Sequence, residues 1–172
     1  MSRAWRYALL SAVIVLVLMG TGRTTAAEKA NSMLAFERLT SLVGEWKGVQ
    51  GDTEIKLTYT LTANGSALME ELRPATGAPM VTIFTVDGDH IIATHYCSVG
   101  NQPQMMTKAI TDPSAKSLTF SLSHVYGMKT PGDWHNTGLT VTMEDKEHLT
   151  QVWTYEYDGK SGTNTFHFTR TR

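Results

Sequence analysis

Glu54-Ile55-Lys56-Leu57-Thr58-Tyr59-Thr60-Leu61-Thr62-Ala63-Asn64-Gly65 alternates apolar and polar side chains and then breaks at Asn-Gly. A period of two puts Ile55, Leu57, Tyr59 and Leu61 on one face of a strand, with Glu54, Lys56, Thr58 and Thr60 on the other. Asn-Gly between alternating runs is the strongest short signal for a hairpin. The same period recurs downstream. Leu118, Phe120 and Leu122 alternate with Thr119, Ser121 and Ser123, and Leu139, Val141 and Met143 with Thr140 and Thr142. Leu149, Trp153, Tyr155 and Tyr157 oppose Thr150, Thr154 and Glu156, and Phe166 and Phe168 oppose Thr165, His167 and Thr169. Turn residues fall at Asp87-Gly88-Asp89, Asp112-Pro113-Ser114, Glu144-Asp145-Lys146 and Asp158-Gly159-Lys160. This spacing predicts about ten strands, beginning near Glu45.

Upstream, Phe36, Leu39, Leu42 and Val43 follow helical spacing, with Asn31 or Ser32 as N-cap and Gly44 as the stop. No second helix is convincing. Short connections make sequential strands antiparallel, because parallel neighbours need long crossovers. One apolar face per strand means one inner layer, and closing that layer on itself removes the exposed edges. The expected fold is all-β: an up-and-down antiparallel barrel of about ten strands with a short N-terminal helix. A two-sheet sandwich is the alternative.

The full chain of 172 residues fits one domain, with no internal repeat or linker. Its formal charge is −1 and it has no Lys/Arg cluster, which argues against nucleic acid or an anionic membrane as a partner. Residues 1–27 read as a signal peptide. Arg3 and Arg6 precede the apolar run Ala8 to Met19, and Thr25-Ala26-Ala27 supplies small residues before Glu28. That run is too short to cross a hydrocarbon core of roughly 30 Å, so no stable membrane insertion is expected after cleavage. Residues 28–172 then form a single barrel domain, secreted or periplasmic. The lone Cys97 precludes an internal disulfide, so burial alone must hold the fold.

Gly44-Glu45-Trp46-Lys47-Gly48, placed after a lone helix and before about nine further strands, resembles the G-x-W opening of the calycin group. That group comprises lipocalins, fatty-acid-binding proteins and nitrobindins, and the resemblance implies a barrel whose tryptophan plugs one end. Five stretches are similar to a family of uncharacterised secreted bacterial proteins of this plan. They are Leu42-Val43-Gly44-Glu45-Trp46, Ala67-Leu68-Met69-Glu70, Thr94-His95-Tyr96-Cys97, Gly100-Asn101-Gln102-Pro103 and Leu149-Thr150-Gln151-Val152-Trp153. The family implies a lipocalin-like barrel and carries no settled activity. Nitrobindins bind haem through a histidine, but their motif has no residue-by-residue match here.

Polar residues on faces that otherwise read as interior point to a site, because burying them unpaired costs free energy. His124 continues the Leu118, Phe120, Leu122 face, and Gln151 lies between Leu149 and Trp153. On the third strand either register turns a carboxylate inward, and Leu68 and Leu72 favour Glu70 over Glu71. Such a group either orients a ligand, acts in acid/base chemistry, or belongs to an internal Glu–Gln–His network. His95 and Cys97 point to one side, and with His124 or His135 they would make a metal triad; no confirmed third donor is legible. Loop 98–104 reads as a rim, either gating a ligand or forming a plain turn held by Asn101. Trp134-His135, in the longest irregular stretch, reads as an exposed ligand contact.

The reading that follows is an exported protein binding a small apolar or amphipathic molecule. Trp46 supports the closed end, while Tyr59, Glu70, His95, His124, Gln151 and Trp153 line or polarise the cavity. No cofactor, haem or metal is expected. The rivals are an acid/base isomerase or hydrolase using Glu70 and a histidine, a haem-binding nitrobindin-like barrel, and a filled barrel without ligand. N-terminal sequencing of the exported protein should give a first residue at or near Glu28; retention of Met1 would overturn the processing reading.

Overall fold

The structure, a computed structural model, describes residues 29–171; the segment read as a signal peptide lies outside them. Helix α1 (Asn31–Thr40) precedes strands β1 (Gly44–Gln50), β2 (Thr53–Thr62), β3 (Ala67–Pro74), β4 (Met80–Asp87) and β5 (His90–Tyr96). Strands β6 (Gln102–Thr107), β7 (Ser117–Tyr126), β8 (His135–Met143), β9 (His148–Tyr157) and β10 (Lys160–Arg170) complete the element order. Every strand pairs with its sequence neighbour, and β1 pairs with β10 to close an antiparallel barrel.

The alternation read from the sequence is the inside–outside alternation of the barrel wall. Ile55, Leu57 and Tyr59 are buried on β2, as are Leu118 and Phe120 on β7, Leu149 and Trp153 on β9, and Phe166 and Phe168 on β10. The hairpin between β2 and β3 turns through Ala63, Asn64 and Gly65, all at positive φ. Asp158 and Gly159, also at positive φ, join β9 to β10 in a two-residue turn that suits the right-handed strand twist.

Helix α1 covers one pole by burying Ala35, Phe36 and Leu39 against the barrel. Its N-terminus differs from the expected one. The capping position is Ala30, with no side-chain cap, and the Ser32 hydroxyl instead donates to the Gly88 carbonyl at 2.6 Å, pinning the helix to the β4–β5 turn. The helix also stops before Gly44, which opens β1. After Thr40 the amides of Ser41, Leu42 and Val43 each bond three residues back, so the winding tightens. Leu42 stays buried, whereas Val43 turns out to solvent instead of joining the apolar stripe.

Trp46 lies beneath that tightened turn. Its indole N–H donates to the Leu42 carbonyl at 2.8 Å, and the Arg170 guanidinium stacks 4.0 Å from its ring. Arg170 also donates to the carbonyls of Ser41 and Val43, so one side chain from β10 ties the helix to the barrel seam.

His124 is not on the inner face. The β6–β7 register pairs Gln104 with His124 but Met105 with Leu122, leaving Ser123 as an extra residue. This bulge shifts the period by one, so Val125 partners the buried Pro103 while His124 is exposed and packs edge-on against Tyr126.

Gly48 faces inward on β1, opposite Phe168. A methyl group there would stand 2.5 Å from the His167 carbonyl oxygen and 2.7 Å from the Phe168 ring. Gly48→Ala should therefore destabilise the barrel by about 2–3 kcal/mol in urea melts. Val49→Ala, one residue on and exposed, should fall within about ±0.5 kcal/mol.

Candidate functional site

The pole opposite α1 is left partly open. There the ends of β1, β3, β4, β5, β8, β9 and β10 surround a cavity of about 370 Å³. Leu72, Met80 and Phe166 give it apolar walls, His95 and Trp153 lie deeper along the same strands, and Trp134 and Asn136 come from the β7–β8 side. Cys97, Ser98 and Val99 form part of its rim.

The two loops at this rim are tied together. Asn101 is buried, and its amide donates to the Trp134 carbonyl at 2.7 Å, linking the β5–β6 loop to the β7–β8 loop. Trp134 stacks on Tyr155 with ring centroids 5.5 Å apart. Asp133 braces the longer loop from within by accepting from the amides of Lys129 and Thr130 and from the Thr130 hydroxyl. The Trp-His dipeptide therefore divides. Trp134 lines the cavity, whereas His135 is buried with Nδ1 against the Asp133 carbonyl, contrary to the exposed contact expected.

Beneath the cavity floor a polar network crosses the barrel. Glu70 is 1% exposed and faces inward, and Glu71 lies on the outer face beside Arg73. Tyr59 donates to Glu70 Oε2 at 2.5 Å. Gln151 Nε2 donates to the same oxygen at 2.6 Å and to the Tyr59 hydroxyl at 2.8 Å. Trp153 Nε1, which can only donate, gives its proton to Gln151 Oε1 at 2.9 Å. That contact fixes which way the amide faces. On the far side, the Thr82 hydroxyl lies 3.3 Å from Glu70 Oε1 and 3.0 Å from His95 Nδ1. His95 packs against Trp153 at 4.7 Å between centroids, and its Nε2 is buried without a hydrogen-bond partner.

Burial sets the charges. It pushes the Glu70 carboxyl up to about 7, against the pull of hydrogen bonds from Tyr59, Gln151 and Thr82. Burial also lowers the His95 ring to about 4, so the imidazole is neutral at physiological pH. Burial, reinforced by the neighbouring Glu70 charge, raises Tyr59 well above its usual value and keeps its proton in place.

A comparison with solved structures finds the crystal structure of Rv2717c from M. tuberculosis, with a TM-score of 0.59 and 14% sequence identity. The match covers 80% of this chain and 98% of that one. At this identity the similarity is one of fold. No protein-family model matches the chain, and no curated protein matches it.

Of the residues singled out in the sequence, Tyr59, Glu70, His95, Gln151 and Trp153 are brought together, with His95 and Trp153 reaching the cavity. Trp46 belongs to the closed pole and His124 to the outer surface. The metal triad does not assemble: among the described residues no group of three His, Cys, Asp or Glu is placed to hold an ion. Glu70 touches no histidine directly, because Thr82 stands between it and His95. Asn101 lies in the loop read as a rim, whereas Thr82 and Asn136 carry no such reading in the sequence. The inward spacing of Met80, Thr82 and Phe84 was the available signal for Thr82, hidden because Val81 and Ile83 make both faces of β4 apolar.

Glu70 should leave a pH signature on stability. The folded state holds its proton to about 7, whereas an unfolded carboxyl releases it near 4.5, so stability from this group is full below 4.5 and is lost as pH rises through 7. Glu70→Gln removes that loss. Its unfolding free energy relative to wild type should rise by about 3 kcal/mol across this window and level off above it. Glu70→Leu strands Tyr59, Gln151 and Thr82 and should cost about 1–3 kcal/mol at the acid end. Denaturant melts at several pH values, with Glu71→Leu as a control within about ±0.5 kcal/mol, check both.

Proposed function

We propose that this chain is an exported calycin-like binding protein that holds one small apolar or amphipathic molecule at the open pole of the barrel. The cavity of about 370 Å³ carries the reading, with apolar walls from Leu72, Met80, Phe166 and Trp153 and a histidine at its inner side. A mostly apolar pocket with few placed polar groups is the ordinary composition of a small-ligand site. His95 supports it further, since a buried ring nitrogen without a protein partner is costly unless something else supplies the hydrogen bond. Export rests on the reading of residues 1–27, and the calycin kinship on the Gly44-Glu45-Trp46 opening together with the closed barrel.

The acid/base alternative has weaker support. A carboxyl that does the chemistry must reach the substrate, and Glu70 is not among the residues lining the cavity.

Native mass spectrometry of the protein purified from its own host should show an added mass that organic extraction removes. Leu72→Trp, which fills the pocket with an indole, should abolish that mass while leaving the fold intact by circular dichroism. A wild-type protein with no added mass and no affinity for small apolar fluorophores would overturn the proposal.

A further inference from the structure

Thr82 has one hydroxyl proton and stands between two groups that both compete for it. Oε2 of Glu70 already receives Tyr59 and Gln151, so a proton taken up by the carboxyl belongs on Oε1, which faces Thr82. Two arrangements then satisfy the chain from Glu70 Oε1 through Thr82 to His95 Nδ1, and they differ in what Nε2 presents. With Glu70 ionised, Thr82 donates to Oε1 and accepts from His95 Nδ1–H, leaving Nε2 as a bare lone pair. With Glu70 protonated, Oε1–H donates to Thr82, Thr82 donates to Nδ1, and the imidazole proton sits on Nε2.

We propose that Glu70, Thr82 and His95 form a proton relay that sets the hydrogen-bonding polarity of the cavity. Nε2 accepts from a bound hydroxyl or N–H when the carboxyl is ionised, and donates to a bound carbonyl when it is protonated. The inference rests on the cavity being a binding site, and it names the ligand chemistry that site takes in each state. Switching breaks no bond between heavy atoms. A proton enters at Nε2, the Nδ1 proton passes to Thr82 Oγ1, and the former Thr82 proton passes to Glu70 Oε1. One proton enters, one carboxylate is neutralised, and the imidazole remains neutral.

The surroundings isolate this switch. Tyr59 is the titratable group facing Glu70 from β2, and His95 is reached through Thr82 from β5. β9 contributes the uncharged Gln151 and Trp153, and the inner faces of β8 and β10 contribute Leu139, Val141, Phe166 and Phe168. Beside His95, Cys97 is the other titratable group on the cavity wall. The carboxyl changes charge near 7 while the ring protonates only near 4, so a tautomer change near neutrality is distinct from imidazole ionisation.

Long-range proton–nitrogen NMR of the histidines, read at about pH 6 and about pH 8, tests the relay directly because the two tautomers have different nitrogen shifts. Wild-type His95 should carry its proton on Nδ1 at the higher pH and on Nε2 at the lower. Glu70→Gln, whose amide N–H faces Thr82 as the protonated acid does, should hold the Nε2–H form at both. Thr82→Val should make the tautomer independent of pH, and Thr82→Ser should restore the switch. In parallel, 2-acetylnaphthalene, which only accepts, should bind wild type about tenfold tighter at the lower pH, and equally at both pH values in Glu70→Gln. A single wild-type tautomer throughout, or unchanged switching in Thr82→Val, would overturn the relay. Failure of both 2-acetylnaphthalene and 2-naphthol to bind at either pH would instead overturn the binding reading and the ligand assignments built on it, with the ring readout still deciding the relay.

Discussion

Pairing of β1 with β10 is the contact on which the rest of the molecule depends. Without it the sheet would expose two long edges and its inner layer would lie open to water. The seam is permissive in one place and tight in another. Gly48 has no side chain, which leaves room for the Phe168 ring, and Trp46 sits across from Arg170, whose guanidinium then reaches the end of the helix. Closure also determines the character of the interior. Once no water reaches the middle of the barrel, a carboxyl there must be served by the protein, and Tyr59, Gln151 and Thr82 do so from three different strands.

Much of this was legible because a strand wall writes its geometry into the sequence with a period of two. Ile55, Leu57 and Tyr59 announced β2, and Asp158-Gly159 announced the turn before β10. The polar residues that broke an apolar face, Glu70 and Gln151, were found for the same reason, and they meet in the structure. The failures share a cause as well. The extra residue at Ser123 inverts the face on which His124 stands, and a bulge leaves no compositional mark in a run of serines and apolar residues. Ser32 looked like a cap because capping and tertiary hydrogen bonding use the same hydroxyl; the Gly88 carbonyl lies across the barrel end and no local pattern reports it. Thr82 was overlooked because threonine is an ordinary strand residue, and only the approach of β3 and β5 gives its hydroxyl two partners.

The interior is divided along its axis. Toward α1 it is filled by Phe36, Leu39, Trp46 and Leu57, all buried, and toward the other pole Leu72, Met80 and Phe166 stand apart around space. Glu70 lies at the boundary between the two halves. Its distance from the cavity is filled by Thr82 and His95, so its charge is felt by the pocket through hydrogen bonds instead of by contact. Trp153 serves both sides, since its N–H orients Gln151 while its ring packs on His95 and borders the cavity.

The described chain enters and leaves at the same pole. α1 lies over the closed end, and Arg170 and Thr171 bond back to Ser41, Val43 and Glu45. Both described ends therefore lie on the side away from the cavity. A molecule held by these ends would present its mouth outward, which makes them natural attachment points for immobilising the barrel as a sensor with its entrance unobstructed.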